Sequence, residues 1–160
     1  MRVTDKYVIF WGSIFSQWFT TTPYQFIEDN LEFVNCEQYM MYKKAMLFND
    51  SITAYKIMCN TDSKIIKQLG REVKNFDSVI WDKNKYSIVL EGNKLKFTQN
   101  KQFAEEMKKY NGKVFVEGSP YDKVWGIGLH YKDELALDSK NWQGQNLLGK
   151  ALTEVSKIIK

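Results

Sequence analysis

The chain has 160 residues, 44% of them hydrophobic, which is enough for one compact core and too few for a second independent domain. Its formal charge of +4 comes from basic residues interleaved with acids, and of the 23 basic residues only Arg2 and Arg71 are arginine, so no basic stripe announces duplex DNA binding. Cys36 and Cys59 form no C-x-x-C pair, which argues against structural zinc or a disulfide framework and for a reducing cytoplasm, and no stretch reaches the roughly 20 apolar residues that span a membrane.

Tyr7 to Trp11 reads as a buried strand. Gly12 and the run Phe15-Ser16-Gln17-Trp18-Phe19 follow, a segment that either lines a pocket wall or packs a loop. Gln25 to Glu28 and Leu31 to Val34 flank Asp29-Asn30, two residues that tolerate left-handed backbone, and this predicts a β-hairpin. Asn35 then begins a helix, with Gln38 placed for a capping box. Helical spacing puts Glu37, Met41, Lys44 and Phe48 on one face, and Cys36, Tyr39 or Met40, Lys43 and Leu47 on another. Glu37 suits the positive end of the helix dipole, and Lys44 can be a snorkelling side chain whose stem covers apolar surface.

Asp50 or Ser51 caps a second helix through Ile52, Tyr55 and Met58. Thr61 or Asp62 caps a third with Ile65, Ile66 and Leu69, which Gly70 closes in the C-terminal glycine position. The Arg71 guanidinium next to it suits paired hydrogen bonds to a phosphate or carboxylate, and equally an ordinary salt bridge. Asp77 or Ser78 opens a long helical stretch through Trp81, Tyr86, Val89, Leu90 and Phe97, with Gly92 as its weak point. Asn100 caps a further helix carrying Phe103, Met107 and Tyr110, and Asn111-Gly112 stops it.

Val114 to Val116 is a short buried strand that leads into Glu-Gly-Ser-Pro-Tyr-Asp-Lys-Val-Trp-Gly-Ile-Gly, residues 117–128, the richest stretch of the chain. There Asp122 is either a turn residue or an acid with chemistry to do, and Trp125 either a core aromatic or a stacking surface. A less regular segment runs from His130 to Lys140. Trp142 to Asn146 opens a last helix whose apolar stripe is Leu148, Ala151 or Leu152, Val155 and Ile159. Helices dominate and the few strands are not arranged as β-α-β repeats, which predicts an α+β fold, mainly helical, with residues 1–160 as a single domain.

The lone histidine, His130, has no nucleophile turn beside it, and the phosphate loop and the H-E-x-x-H zinc motif are absent. Carboxylates, tryptophans, lysines and Arg71 remain. That set suits cleavage of a glycosidic bond, where a carboxylate activates water or steadies an oxocarbenium-like carbon beside an aromatic surface. It suits a binding module for an anionic aromatic ligand as well.

Seven ordered blocks give the chain a family resemblance. They are Phe-Ser-Gln-Trp from residue 15, Asn-Cys-Glu-Gln-Tyr-Met-Met-Tyr-Lys-Lys-Ala-Met-Leu-Phe from 35, Leu-Gly-Arg from 69, and Trp81. Lys-Phe-Thr-Gln from 96, Glu-Gly-Ser-Pro-Tyr-Asp-Lys-Val-Trp-Gly-Ile-Gly-Leu from 117 and Trp-Gln-Gly-Gln-Asn-Leu-Leu-Gly-Lys-Ala-Leu from 142 complete the set. Together they resemble the YbiA-like, or NADAR, superfamily. The resemblance implies a compact α+β domain that hydrolyses the N-glycosidic bond of a phosphorylated ribose, with no metal or cofactor. One branch acts on early riboflavin-pathway intermediates, pyrimidines joined to ribose 5-phosphate. Another removes ADP-ribose from guanine in DNA or RNA.

By the same resemblance Glu37 and Asp122 are the acids that act at the sugar carbon C1, and Lys44 a lysine with a covalent role open to it. Arg71 holds phosphate, and Trp81, ahead of the long helix, or Trp125 stacks on base or ribose. Ser16, Gln17, Gly126 and Asn146 complete the substrate contacts. Two positions depart from the family pattern: Gln17 stands where Asn is usual, and Ser156 where the last helix customarily has arginine. Charge and compactness favour ADP-ribosylated guanine as substrate over the riboflavin intermediate. The competing class is a reader that binds ADP-ribose or NAD without cleaving it.

Overall fold

The structure, a computed structural model, describes residues 1–159. In chain order its elements are β1 (Arg2–Val3), β2 (Tyr7–Phe10), β3 (Phe26–Glu28), β4 (Leu31–Phe33), α1 (Cys36–Leu47), α2 (Ser51–Met58) and α3 (Ser63–Arg71). Then come α4 (Ser78–Gln99), α5 (Lys101–Lys108), β5 (Val114–Glu117), two short 3₁₀ turns between Glu134 and Asn141, and α6 (Leu147–Ile158). The class is α+β, as the pattern predicts. The elements gather into two compact units, residues 17–100 and residues 1–16 with 101–160. Among the described residues no helix is long and apolar enough to cross a membrane.

In the unit of residues 17–100, Asp29 and Asn30 both take positive φ and close the β3–β4 hairpin, as their types predict. Phe26 and Phe33 stack across it and pack edge-on against Tyr39 of α1. The start of α1 is fixed from both directions. The Asn35 side chain accepts a hydrogen bond from Gln38 N at 2.8 Å, and Gln38 Oε1 accepts from Val34 N at 2.9 Å. Asp50 caps α2, and its other oxygen accepts from Lys74 N at 2.9 Å. That bond, more than the Thr53 donors, holds the Asp50 carboxyl below the ordinary carboxylate range.

Four expectations change here. Gly70 does not close α3 but lies inside it, pressed on Met41 of α1, and Arg71 is the last helical residue. Helix α4 runs through Gly92 without a break because that glycine sits against the Tyr39 ring. Trp81 belongs to the first turn of α4, where the helical spacing puts it, rather than ahead of the helix as the resemblance implies. The Asn100 amide donates to Gln25 O and Lys96 O, so it fastens the end of α4 instead of capping α5.

In the other unit, β2 pairs in parallel with β5 and antiparallel with β1, a two-residue strand too short to read from periodicity. The β2 strand stops at Phe10, before Trp11, and α5 stops at Lys108, before Tyr110. Tyr7, Ile9 and Val116 pack with Ile127 and Leu129 to bury one side of the sheet. The start of α6 lies against β5 at Gly149, where a Cβ would come 2.2 Å from Phe115 O. Relief there requires backbone movement. Gly149→Ala is therefore expected to lower the unfolding free energy by about 2 kcal/mol or more. Urea denaturation should show a lower midpoint at unchanged slope, and an unmoved midpoint would contradict this packing.

Candidate functional site

Glu37 enters the first turn of α1 with its side chain taken into the protein, 4% exposed, and its backbone N–H donates to Gln17 O at 3.1 Å. Two turns on, on the same face, the Lys44 ammonium donates to Gly70 O at 2.7 Å. It lies 4.4 Å from the centre of the Phe76 ring and 5.5 Å from that of Trp81. Loss of water around the amine pulls its pKa below the ordinary lysine value, and the Glu37 charge acts in the opposite direction. Lys44 is therefore not a snorkelling side chain but an amine held over two rings.

Its carbonyl partner is near because Gly70 lets α3 approach α1. Arg71 follows on exposed helix end, and its guanidinium makes no ion pair or side-chain hydrogen bond among the described residues. The salt-bridge alternative for Arg71 is thereby removed, and an exposed, uncommitted fork remains.

A second buried polar group lies on α4, and no motif drew attention to it as a site. Lys96 is fully buried, with its ammonium 5.7 Å from the Phe19 ring centre and 5.5 Å from that of Phe97. Burial brings its pKa down to about 8. The adjacent Cys36 thiol is pushed up to about 11 by burial, which the Lys96 charge opposes and the Glu37 charge reinforces. Asn93 donates through Nδ2 to Val89 O and to Gln17 Oε1, both at 2.9 Å. The Val89 carbonyl fixes which way the Asn93 amide faces, and Asn93 in turn fixes Gln17. Gln17 Nε2, in a residue only 6% exposed, is left as a donor without a hydrogen-bond partner. Such a donor costs about 1–3 kcal/mol unless something accepts from it. The signal is Asn93 and Lys96, polar residues at helical spacing with the apolar Val89 on a buried face.

The loop of residues 118–128 is held by the last helix. Asn146 gives α6 no side-chain cap. Its backbone N–H and those of Leu147 and Leu148 donate instead to the carbonyls of Gly126, Val124 and Trp125. Asp122 Oδ1 accepts from Val124 N at 2.8 Å and Trp125 N at 2.7 Å, so the turn reading is correct for that oxygen. Oδ2 makes no hydrogen bond among the described residues. Trp125 is half-buried, and a Cβ on Gly126 would meet Glu117 O at 2.9 Å. The Asn146 amide is committed to β5, accepting from Glu117 N and donating to Phe115 O, both at 3.0 Å. Ser16 is half-buried, with its backbone N–H bound to Ser13 O. His130 Nδ1 accepts from Lys132 N, and its ring meets Trp11 edge-on. In the last helix Ser156 Oγ donates to Thr153 O, the position where the resemblance expects arginine. Both cysteines are free thiols, and among the described residues no three His, Cys, Asp or Glu side chains gather as metal ligands.

This fold is that of the Escherichia coli protein YbiA solved by NMR, to which the chain is similar with a TM-score of 0.76 at 18% identity, over 98% of this chain and 86% of that one. The NADAR domain profile matches residues 9–160, and the chain belongs to the NADAR domain family. It is 45% identical to N-glycosidase R617 of Acanthamoeba polyphaga mimivirus, with 95% of each chain covered. It is also 35% identical to Protein irg-1 of Caenorhabditis elegans, over 80% of this chain and 61% of the nematode protein.

The buried Lys96 gives stability a pH signature. Between pH 8, its folded value, and 10.5, its ordinary one, the unfolded chain keeps a proton that the folded chain has released. Unfolding free energy rises with pH wherever the unfolded state binds more protons. Relative to Lys96→Met, the wild type should therefore gain stability across that window and show a constant difference below it. Urea titrations of both proteins at stepped pH check this, and a difference that does not change with pH would contradict it.

Proposed function

We propose that this protein removes ADP-ribose from guanine in nucleic acid by hydrolysing the bond between ribose C1 and the base nitrogen. That it is an N-glycosidase, a hydrolase of N-glycosyl bonds, follows from its family and from 45% identity to a relative named for that activity. The observation that supports the reading most is the Lys44 amine, held on Gly70 O beside Trp81, with Glu37 acting on its charge and Arg71 next to its carbonyl partner. A base or ribose can stack on the indole, and a phosphate can take both arms of the uncommitted guanidinium.

In the reaction the C1–N bond breaks, its electron pair leaves with the base, and the base takes up a proton. Water oxygen bonds to C1 and gives up a proton. Glu37 and Asp122 are assigned the proton transfers and the steadying of positive charge at C1, through the Asp122 oxygen not used by its turn. The lowered pKa of Lys44 favours a covalent route to the same products. Its amine condenses with C1 of the opened sugar to form an imine and release the base, and water then cleaves the imine. The free thiol of Cys59, exposed, suits a cytoplasmic setting.

Glu37→Gln and Asp122→Asn are expected to lower kcat roughly 100-fold or more with little change in KM. Arg71→Ala should instead raise KM about tenfold or more and leave kcat near wild type. Steady-state kinetics on an ADP-ribosylated guanine substrate separates these patterns, and both carboxylate variants at wild-type turnover would overturn the assignment. Borohydride added during turnover should leave a reduced sugar adduct on Lys44 by peptide mass spectrometry, absent in an active-site Lys44→Ala control. No adduct, with Lys44→Ala fully active, would remove the covalent route. Parallel assays on a pyrimidine ribose 5-phosphate and on ADP-ribose alone separate this substrate from the riboflavin branch and from a reader that binds without release of base.

A further inference from the structure

Helix α3 is unlike its neighbours in charge. Its sequence, Ser-Lys-Ile-Ile-Lys-Gln-Leu-Gly-Arg, contains three cations and no acid. Several lysines elsewhere pair with an acid one turn away, Lys85 with Asp82 and Lys94 with Glu91 on α4, Lys108 with Glu105 on α5 and Lys109, just past its end, with Glu106. Lys64, Lys67 and Arg71 make no ion pair among the described residues. The carboxylates that bracket them in sequence are already engaged. Asp62 accepts from the backbone of Lys64 and Ile65, and Glu72 accepts from Gln68.

Residues 64, 67 and 71 fall on one side of the helix, and seven residues separate the first from the last, about 10 Å along the axis. Ile66 and Gly70, which are buried, occupy the other side. One more group belongs to this face. The Lys67 ammonium stands 5.5 Å from the centre of the Trp18 ring, and that indole is 40% exposed. The interleaved charge of the sequence hides this grouping, which appears only when α3 is wound.

We infer that Lys64, Lys67 and Trp18 form a docking strip for a single strand of nucleic acid beside the modified guanine. The inference rests on the function proposed above. An unneutralised row of cations attracts a phosphodiester backbone, and an exposed indole under a cation stacks on an unpaired base. Duplex bases are already stacked on each other, so the indole selects the single strand. A mononucleotide-sized substrate requires one phosphate clamp, which Arg71 supplies. The two lysines extend that charge along the helix toward its other end, as a polymer would use.

The test uses the full chain, a fluorescent single-stranded oligodeoxynucleotide, and the variants Lys64→Gln/Lys67→Gln and Trp18→Ala. Fluorescence anisotropy across a salt series should show the double variant's slope of log Kd against log salt reduced by about 1.4, from roughly 0.7 per contact. Trp18→Ala should weaken binding about fivefold or more. In activity assays, the double variant should lose about tenfold or more in kcat/KM on ADP-ribosylated oligonucleotide and keep wild-type kcat/KM on the free ADP-ribosylated nucleoside. An unchanged salt slope, or an equal loss on both substrates, would overturn the strip. Failure of the wild type to release ADP-ribose from both the modified oligonucleotide and the modified nucleoside would instead overturn the proposed function, while the anisotropy series still decides whether the strip binds nucleic acid.

Discussion

In the unit of residues 17–100, the close approach of α3 to α1 at Gly70 governs what the side chains can reach. A Cβ there would come 1.9 Å from Met41 Sδ, so no other residue fits without moving that side chain or the helix. Met41 lies between Glu37 and Lys44 on the same face of α1. A displaced Met41 therefore disturbs both neighbours, and a displaced α3 carries away the Gly70 carbonyl that holds the Lys44 amine. The same backbone sets where the Arg71 guanidinium begins. One missing side chain thus places an amine, a carboxylate and a guanidinium within a short stretch of two helices.

That constraint shows what could and could not be read from the sequence. The hairpin at Asp29-Asn30, the Asn35 and Gln38 start of α1 and the caps at Asp50, Asp62 and Asp77 depend on a few adjacent residues, and local chemistry dictates them. Local preference reads Gly70 as a helix stop and Gly92 as a weak point, but that preference is only half of what a glycine means. The other half is the Met41 or Tyr39 side chain it must admit, which comes from a distant part of the chain. Asn100 has the same ambiguity, since a residue between two helices can serve either end, and the Gln25 and Lys96 carbonyls decide it. Glu37, Lys44 and Arg71 stand out in the sequence through the family blocks. Their pairing with Gly70 O, Phe76 and Trp81 is tertiary and has no signature in spacing.

Two lysines of this unit leave water by different routes, and the contrast bears on function. Lys96 is fully enclosed by α4 and aromatic rings, where burying an ammonium is costly and ordinarily demands compensation. Its neighbours Asn93, Cys36 and Gln17 form a polar seam in which Gln17 Nε2 remains a donor with nothing to donate to. Lys44 is only half-buried, and one of its protons goes to a carbonyl while two rings cover the amine. A partly covered amine with a lowered pKa can be deprotonated and still be approached by a sugar carbon. Full enclosure gives the lowered pKa without the approach. Lys44 is therefore the more accessible amine of the two, and Lys96 the one enclosed beside the seam.

Asp122 holds its turn with one oxygen and leaves the other outside it. Oδ1 takes the Val124 and Trp125 N–H groups, and the first backbone donors of α6 take the carbonyls of Val124, Trp125 and Gly126. The turn is thus gripped on both its N–H and its C=O sides, which fixes the backbone from which the Trp125 side chain starts. The second oxygen of Asp122 has no part in that grip. An amide in place of the carboxylate keeps an oxygen that can accept the same two N–H bonds, and removes only the charge and the second acceptor. An alanine removes the turn as well. Loss of turnover in Asp122→Asn can accordingly be assigned to the chemistry of the free oxygen, whereas the same loss in Asp122→Ala would mix it with a misplaced indole.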